Sequence, residues 1–260
     1  MRITIIGSGN VATHLAAAFK NAGHRIIQVY SRNLQHAAIL AYHVKAQAID
    51  GLQAIDPETD LFVISVKDDA IVSVAQSLVQ YQLPTVHTSG ATAMTVLSSI
   101  IPNSGVFYPL QTLSKHKEVD FLSVPLCIEG ASEQITRELE SLAQTISNKV
   151  YRIDSAQRKV LHLAAVFACN FPNYLYEVAR QLLDKKNINF ELIRPLILET
   201  AQKVQDDLPA IVQTGPAIRN DQNTMDMHLQ MLQNEPLLKM IYELLSQGII
   251  KNTQEGVERK

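Results

Sequence analysis

An α/β half followed by an all-helical half is the architecture this sequence predicts, and three observations carry the prediction. Short apolar runs alternate with helical patterns from Ile3 to Ile153, at the pace of βαβ units. The first run feeds directly into Gly7-Ser8-Gly9-Asn10-Val11-Ala12, a glycine-rich turn that opens a helix. After Asp154 strand-like runs stop and the chain reads as helices. The expected domains are therefore 1–154 and 155–260.

Each element has its own signal. Ile3 to Ile6 is a short apolar strand. Val11, Leu15, Ala18 and Phe19 share one side of the helix that follows to about Asn21, and Gly23 stands just past its end, where helices favour glycine. Arg25 to Tyr30 is a second strand and Leu34 to Val44 an alanine-rich helix. Leu61 to Val66 is continuously apolar, as a parallel strand covered on both faces is. Asp68 and Asp69 are placed to cap a helix from Ala70 to Tyr81. Thr85-Val86-His87 reads as a strand ending at Thr88-Ser89-Gly90. Val106-Phe107, Pro125 to Ile128 and Lys149 to Ile153 read as three more, with a helix from Ser132 to Ser147. Together these predict a doubly wound, mostly parallel sheet of Rossmann type. Beyond it, Ser155 to Lys186, Phe190 to Val212, Asp221 to Leu232 and Leu237 to Leu245 read as helices, and the polar tail after Gly248 is expected to fray.

Composition narrows the function classes. Hydrophobic residues make up 47% and charged residues 18%, enough to build cores and too apolar for a disordered chain. A formal net charge of −2 gives no footprint for nucleic acid or an anionic membrane. Cys127 and Cys169 lack metal-ligand or redox spacing and are expected as buried small hydrophobes, so no metal site is expected. Met1-Arg2 enters a strand at once, and no apolar run reaches the ~18–20 residues that span a bilayer. A cytoplasmic protein is the expectation.

The glycine loop carries the first chemical signal. Gly7 makes the tight turn, Gly9 lets backbone approach a pyrophosphate, and small Ala12 lets the helix pack close to the strand. The phosphates would lie at the helix N-terminus, against the free N–H groups of Ser8, Gly9, Asn10 and Val11. The second strand ends Ser31-Arg32-Asn33, with no carboxylate between Gly23 and Asp50 to bond a ribose 2′-hydroxyl. Ser31 can donate instead, and Arg32 can pair with a 2′-phosphate and stack on adenine, so NADP is expected rather than NAD. Two further strand ends should face the ligand: Ser65 and Val66 along the adenosine side, His87 and Ser89 toward the nicotinamide. His87 can act as a proton donor or be fixed by a backbone hydrogen bond.

The helical half offers polar groups for a substrate. His162 and Asn173 are eleven residues apart and share a helical face, with Asn170 beside Asn173. Pro172 is expected to kink that helix. Thr214-Gly215-Pro216 turns the chain toward Arg219, a candidate for a substrate carboxylate or phosphate, and Asp221 reads as the cap of the next helix, two turns before His228.

Taken in order, Gly7-x-Gly9-x-x-Ala12, His87-Thr88-Ser89-Gly90, Tyr108-Pro109-Leu110-Gln111-Thr112, His162-x-Ala164-Ala165 with Asn170, and Thr214-Gly215-Pro216 with Arg219 and Asp221 resemble a bacterial Rossmann-like family. That family's C-terminal helical domain is of unknown function, and its layout is similar to pyrroline-5-carboxylate reductase, ketopantoate reductase and the deazaflavin-dependent NADP reductases. The resemblance implies an NADP-dependent oxidoreductase, dimeric through its C-terminal helices, acting on a small molecule with a C=O or C=N group in an interdomain cleft. His162, Asn170 and Arg219 are its candidate catalytic residues. Related hydroxyacid dehydrogenases carry a Lys with an Asn four residues on; here Lys159 is followed at that spacing by Leu163, so their proton donor does not transfer. The alternative is a binding or sensing protein that reports NADP(H) without turnover, favoured by the lack of an unambiguous acid or base.

Overall fold

The computed structural model describes residues 1–258. It divides into two compact units, the first running to Leu175 and the second from Tyr176. The first unit holds one eight-stranded sheet. Its strands are β1 (Arg2–Ile6), β2 (Arg25–Tyr30), β3 (Gln47–Ile49), β4 (Leu61–Ile64), β5 (Thr85–His87), β6 (Ser104–Pro109), β7 (Leu126–Gly130) and β8 (Val150–Arg152). They lie in the order β3-β2-β1-β4-β5-β6-β7-β8, and every pairing is parallel except the antiparallel pair β6–β7. The carboxyl ends of β1, β4, β5 and β6 therefore open on one edge, where doubly wound sheets bind ligands.

Helices cover both faces. On one side α1 (Asn10–Asn21), α2 (Leu34–Val44) and α5 (Glu133–Gln144) pack on Ile3, Ile5, Val63 and Phe107; on the other, α3 (Ile71–Leu78) and α4 (Thr95–Ser98) pack on Ile6, Phe62 and Ile64. Strand β4 shows why its run is continuous: Leu61 and Val63 enter the first core, Phe62 and Ile64 the second. Each such large side chain contributes roughly 1.5–3 kcal/mol by leaving water. The remaining helices are α6 (Ser155–Ala165), α7 (Phe171–Asp184), α8 (Arg194–Asp206), α9 (Gln222–Met231) and α10 (Pro236–Glu258).

Several local expectations need correction. Strand β3 was not expected; three residues at the sheet edge are too few to show a period. Asp68 and Asp69 open a single 3-10 turn that ends at Ala70, and α3 starts at Ile71 without a side-chain cap. The helix expected from Ser155 to Lys186 is broken by a π-helical segment, Val166–Asn170, and Pro172 lies in the first turn of α7, where its missing N–H costs nothing. Residues 207–212 leave the helical path after Asp207, whose backbone is extended. The described part of the tail after Gly248 is the end of α10, which runs to Glu258; Arg259 and Lys260 lie outside the described residues. Cys127 is buried as expected, but Cys169 is exposed because it falls in the π segment, whose outer face has no cover.

Candidate functional site

Gly7 is fixed by two constraints. Its φ of +126° is the region that favours glycine, and a Cβ there would stand 2.2 Å from the Ser65 carbonyl oxygen. The turn is tied on both sides: Gly7 N–H donates to the Tyr30 carbonyl at 2.8 Å, and Ser65 N–H to the Ile6 carbonyl at 2.8 Å. Gly9 is different. It is the N-cap of α1 with nothing within 4 Å of where a Cβ would stand, no side chain caps the helix, and its first turn has no acidic residue. Free N–H groups of Asn10 and Val11, an open approach over Gly9 and the positive end of the helix dipole fit a pyrophosphate.

Beyond β2, Ser31 is half-buried, with its N–H on the Ile49 carbonyl at 3.1 Å. Asn33 caps α2 by accepting from the N–H groups of Gln35 and His36. Arg32 between them is exposed and has no hydrogen bond or ion pair among the described residues, leaving its guanidinium free for an anion. Ser65 and Val66 line the Gly7 turn, with the Ser65 hydroxyl accepting from Thr88 at 3.1 Å.

The β5 end is more enclosed than the sequence suggests. His87 is fully buried. Its Nδ1 accepts the Ser89 N–H at 3.2 Å, which places the ring proton on Nε2, and Nε2 has no partner among the described residues. Burial, reinforced by the charge of Arg158, pushes its pKa down to about 4. The ring is a neutral wall of the site near pH 7 rather than a ready proton donor. Ser89 accepts from the N–H groups of Ala91 and Thr92 and so shapes its own turn, with its hydroxyl proton still available.

Gly90 lies where α6 meets the sheet. A Cβ on it would touch His162 Nδ1 at 2.6 Å and the Tyr108 ring at 2.9 Å. His162 Nδ1 and the Tyr108 hydroxyl are 3.2 Å apart, with the rings edge to face, and His162 Nε2 is left for another partner. Burial raises the Tyr108 pKa, so the phenol stays protonated. One turn earlier, Arg158 is fully buried and bonds Glu129 at 2.5 Å, the Thr92 carbonyl at 2.6 Å and the Ser155 hydroxyl at 3.2 Å. Ser155 in turn donates to Glu129 and accepts the Met94 N–H. This network ties α6 to β7 and to the loop after β5, and so holds His162 at Gly90.

Asn170 is exposed at the end of the π segment, with no hydrogen bond among the described residues. The π segment shifts the helical register by about one residue, so the shared face of His162 and Asn173 expected from a continuous helix does not carry across it. On the second unit Arg219 is exposed, Asp221 caps α9 through Thr224, and His228 bonds the Tyr242 hydroxyl at 2.9 Å. Tyr108, Glu129 and Arg158 were not anticipated as site residues. Glu129, a carboxylate closing an apolar strand, was the readable signal that a buried cation must meet it. Among the described residues no group of three or more His, Cys, Asp or Glu could hold a metal, and no helix is long and apolar enough to cross a membrane.

A tight glycine turn, an open helix start and a histidine–tyrosine pair on one sheet edge define a dinucleotide-dependent oxidoreductase of the Rossmann class. Residues 2–86 match the family described as NADP oxidoreductase, coenzyme F420-dependent, and residues 124–249 match the domain of unknown function DUF2520. A Bacteroides fragilis protein classed as an NADP oxidoreductase is 45% identical, with 96% of this chain and 98% of that one covered and a TM-score of 0.92. The chain belongs to this family of NADP oxidoreductases. In fold it is also similar to pyrroline-5-carboxylate reductase from Streptococcus pyogenes (14% identity, 98% of each chain, TM-score 0.64). An imine reductase from Myxococcus stipitatus, solved with NADP+, shares the fold at 13% identity over 100% of this chain and 95% of that one, with a TM-score of 0.65. No curated protein matches the sequence.

Proposed function

We propose that this chain exchanges hydride between NADP(H) and a small C=O or C=N compound, with His162 holding the exchanged proton. The single observation that carries the reading is the meeting of His162, Tyr108 and Gly90 at the end of β5. When bound, the nicotinamide ring supplies or accepts the hydride. Gly7, Ser8, Gly9, Asn10 and Val11 hold the pyrophosphate through backbone, Ser31 and Arg32 take the 2′-phosphate, and Ser65, Val66 and Ser89 border the groove with buried His87 behind them. In the reducing direction the substrate carbon gains the hydride while its oxygen or nitrogen takes a proton from His162 Nε2. Tyr108 keeps the ring turned so that Nε2, not Nδ1, faces outward. Asn170 and Arg219 are proposed substrate contacts; the exposed planar guanidinium of Arg219 suits a carboxylate or phosphate.

The proposal includes a cytoplasmic homodimer formed through the helical half, taken as 155–260 beside a cofactor-binding 1–154. Its support is apolar exposure on the second unit: Leu196, Leu208, Ile211 and Met231 are each more than 60% exposed in the single chain. The test is turnover. Purified protein should oxidise NADPH with at least one member of a carbonyl and imine panel, and His162→Ala should slow that turnover by about 10²–10⁴-fold. Turnover untouched by the substitution removes His162 from the chemistry.

A further inference from the structure

The loop between β6 and β7 contributes a cation to the glycine turn that the reading above does not use. It leaves the sheet at Pro109, next to Tyr108, and reaches back to the turn that follows β1. There the Lys115 ammonium donates to the Ser8 carbonyl at 2.6 Å, across more than a hundred residues of sequence. The neighbouring Ser114 carbonyl bonds His14 Nε2 at 2.9 Å, one turn into α1. Two consecutive residues thus seat the loop on the helix start, so the ammonium is parked there rather than swinging free. Only one of its three protons is taken by Ser8, and the backbone beside it, at Gly9, is open. No acidic residue stands in the first turn of α1 to neutralise it.

We infer that Lys115 is a further cofactor-binding residue: its ammonium, seated on the Ser8 carbonyl, adds a full positive charge to the pyrophosphate at the glycine turn. The inference rests on the NADP reading. The backbone N–H groups supply dipoles and Lys115 the full charge, the division of labour that phosphate sites commonly use. A ligand lacking the pyrophosphate should not feel it.

The experiment is calorimetric titration of the full chain with NADPH and with adenosine 2′-monophosphate, which keeps the 2′-phosphate and lacks the pyrophosphate. Lys115→Met should weaken NADPH by about 10-fold and reduce the salt dependence of binding, leaving adenosine 2′-monophosphate within twofold. Lys115→Arg should restore most of the NADPH affinity. Unchanged NADPH binding in Lys115→Met, or equal losses for both ligands, overturns the assignment. Wild-type protein that binds no NADPH overturns the cofactor reading itself, so the two failures are distinct.

Discussion

The glycine turn after β1 and the Gly90 end of β5 open on the same edge of one sheet, yet they are held in place by different means. The first is backbone: Gly7 is locked by its φ and by the Ser65 carbonyl, and α1 presents N–H groups with no side chain across them. The second is side chain: His162 and Tyr108 close on Gly90 because Arg158 and Glu129 pin α6 from beneath. The pyrophosphate is the same in every dinucleotide, so a fixed backbone turn can receive it, with Lys115 adding charge at its edge. A substrate differs, and only side chains can follow it.

Breaking the buried ion pair should have the largest effect on stability. Arg158→Ala strands Glu129 and should cost about 3–5 kcal/mol in urea unfolding of the sheet-bearing unit. Replacing both partners by Met should cost less than either single change. A single-variant loss under about 1 kcal/mol would show that α6 is held by something else.

A smaller effect comes from His87, which sharpens the comparison by placing a pH dependence at the β5 end alone. Its folded pKa of about 4 lies below the ordinary 6.5, so the unfolded chain binds more protons between those values. Stability should be full above pH ~6.5 and fall as the pH drops toward 4, by up to about 3 kcal/mol. His87→Gln should flatten that part of the stability–pH curve, and an unchanged slope would refute the assignment.

The smallest effect belongs to the dinucleotide end. Arg32→Ala should weaken NADPH by about 10-fold in calorimetry and leave NADH nearly unchanged, because the exposed guanidinium meets only the 2′-phosphate. Equal loss for the two cofactors would contradict the role given to Arg32.

The same division explains what could be read without coordinates. Gly7, Gly9, Ala12 and the missing carboxylate around Ser31-Arg32 are local signals, since a turn and the helix it starts are consecutive in sequence. Strand β4 announced its two covered faces by its unbroken apolar run. The other end was opaque because its contacts are long-range. Tyr108 and His162, or Glu129 and Arg158, meet only after β6, β7 and α6 have packed. His87 at a strand end was open to two readings, a proton donor or a ring fixed by a backbone hydrogen bond; the Ser89 N–H fixes it, and tertiary cover makes it a buried neutral ring. The π segment was invisible for another reason: Val166–Asn170 has helix-compatible residues, and nothing in their pattern marks a wider turn.

If the two ends are built separately, they must also fail separately. The decisive measurement is made on one sample of His162→Gln: NADPH affinity by titration, and hydride transfer by single-turnover absorbance with a substrate found for the wild type. The account predicts a Kd within twofold of wild type and a transfer rate lower by about 100-fold or more. An unchanged rate, or a loss of NADPH affinity as large as the loss of rate, would contradict it.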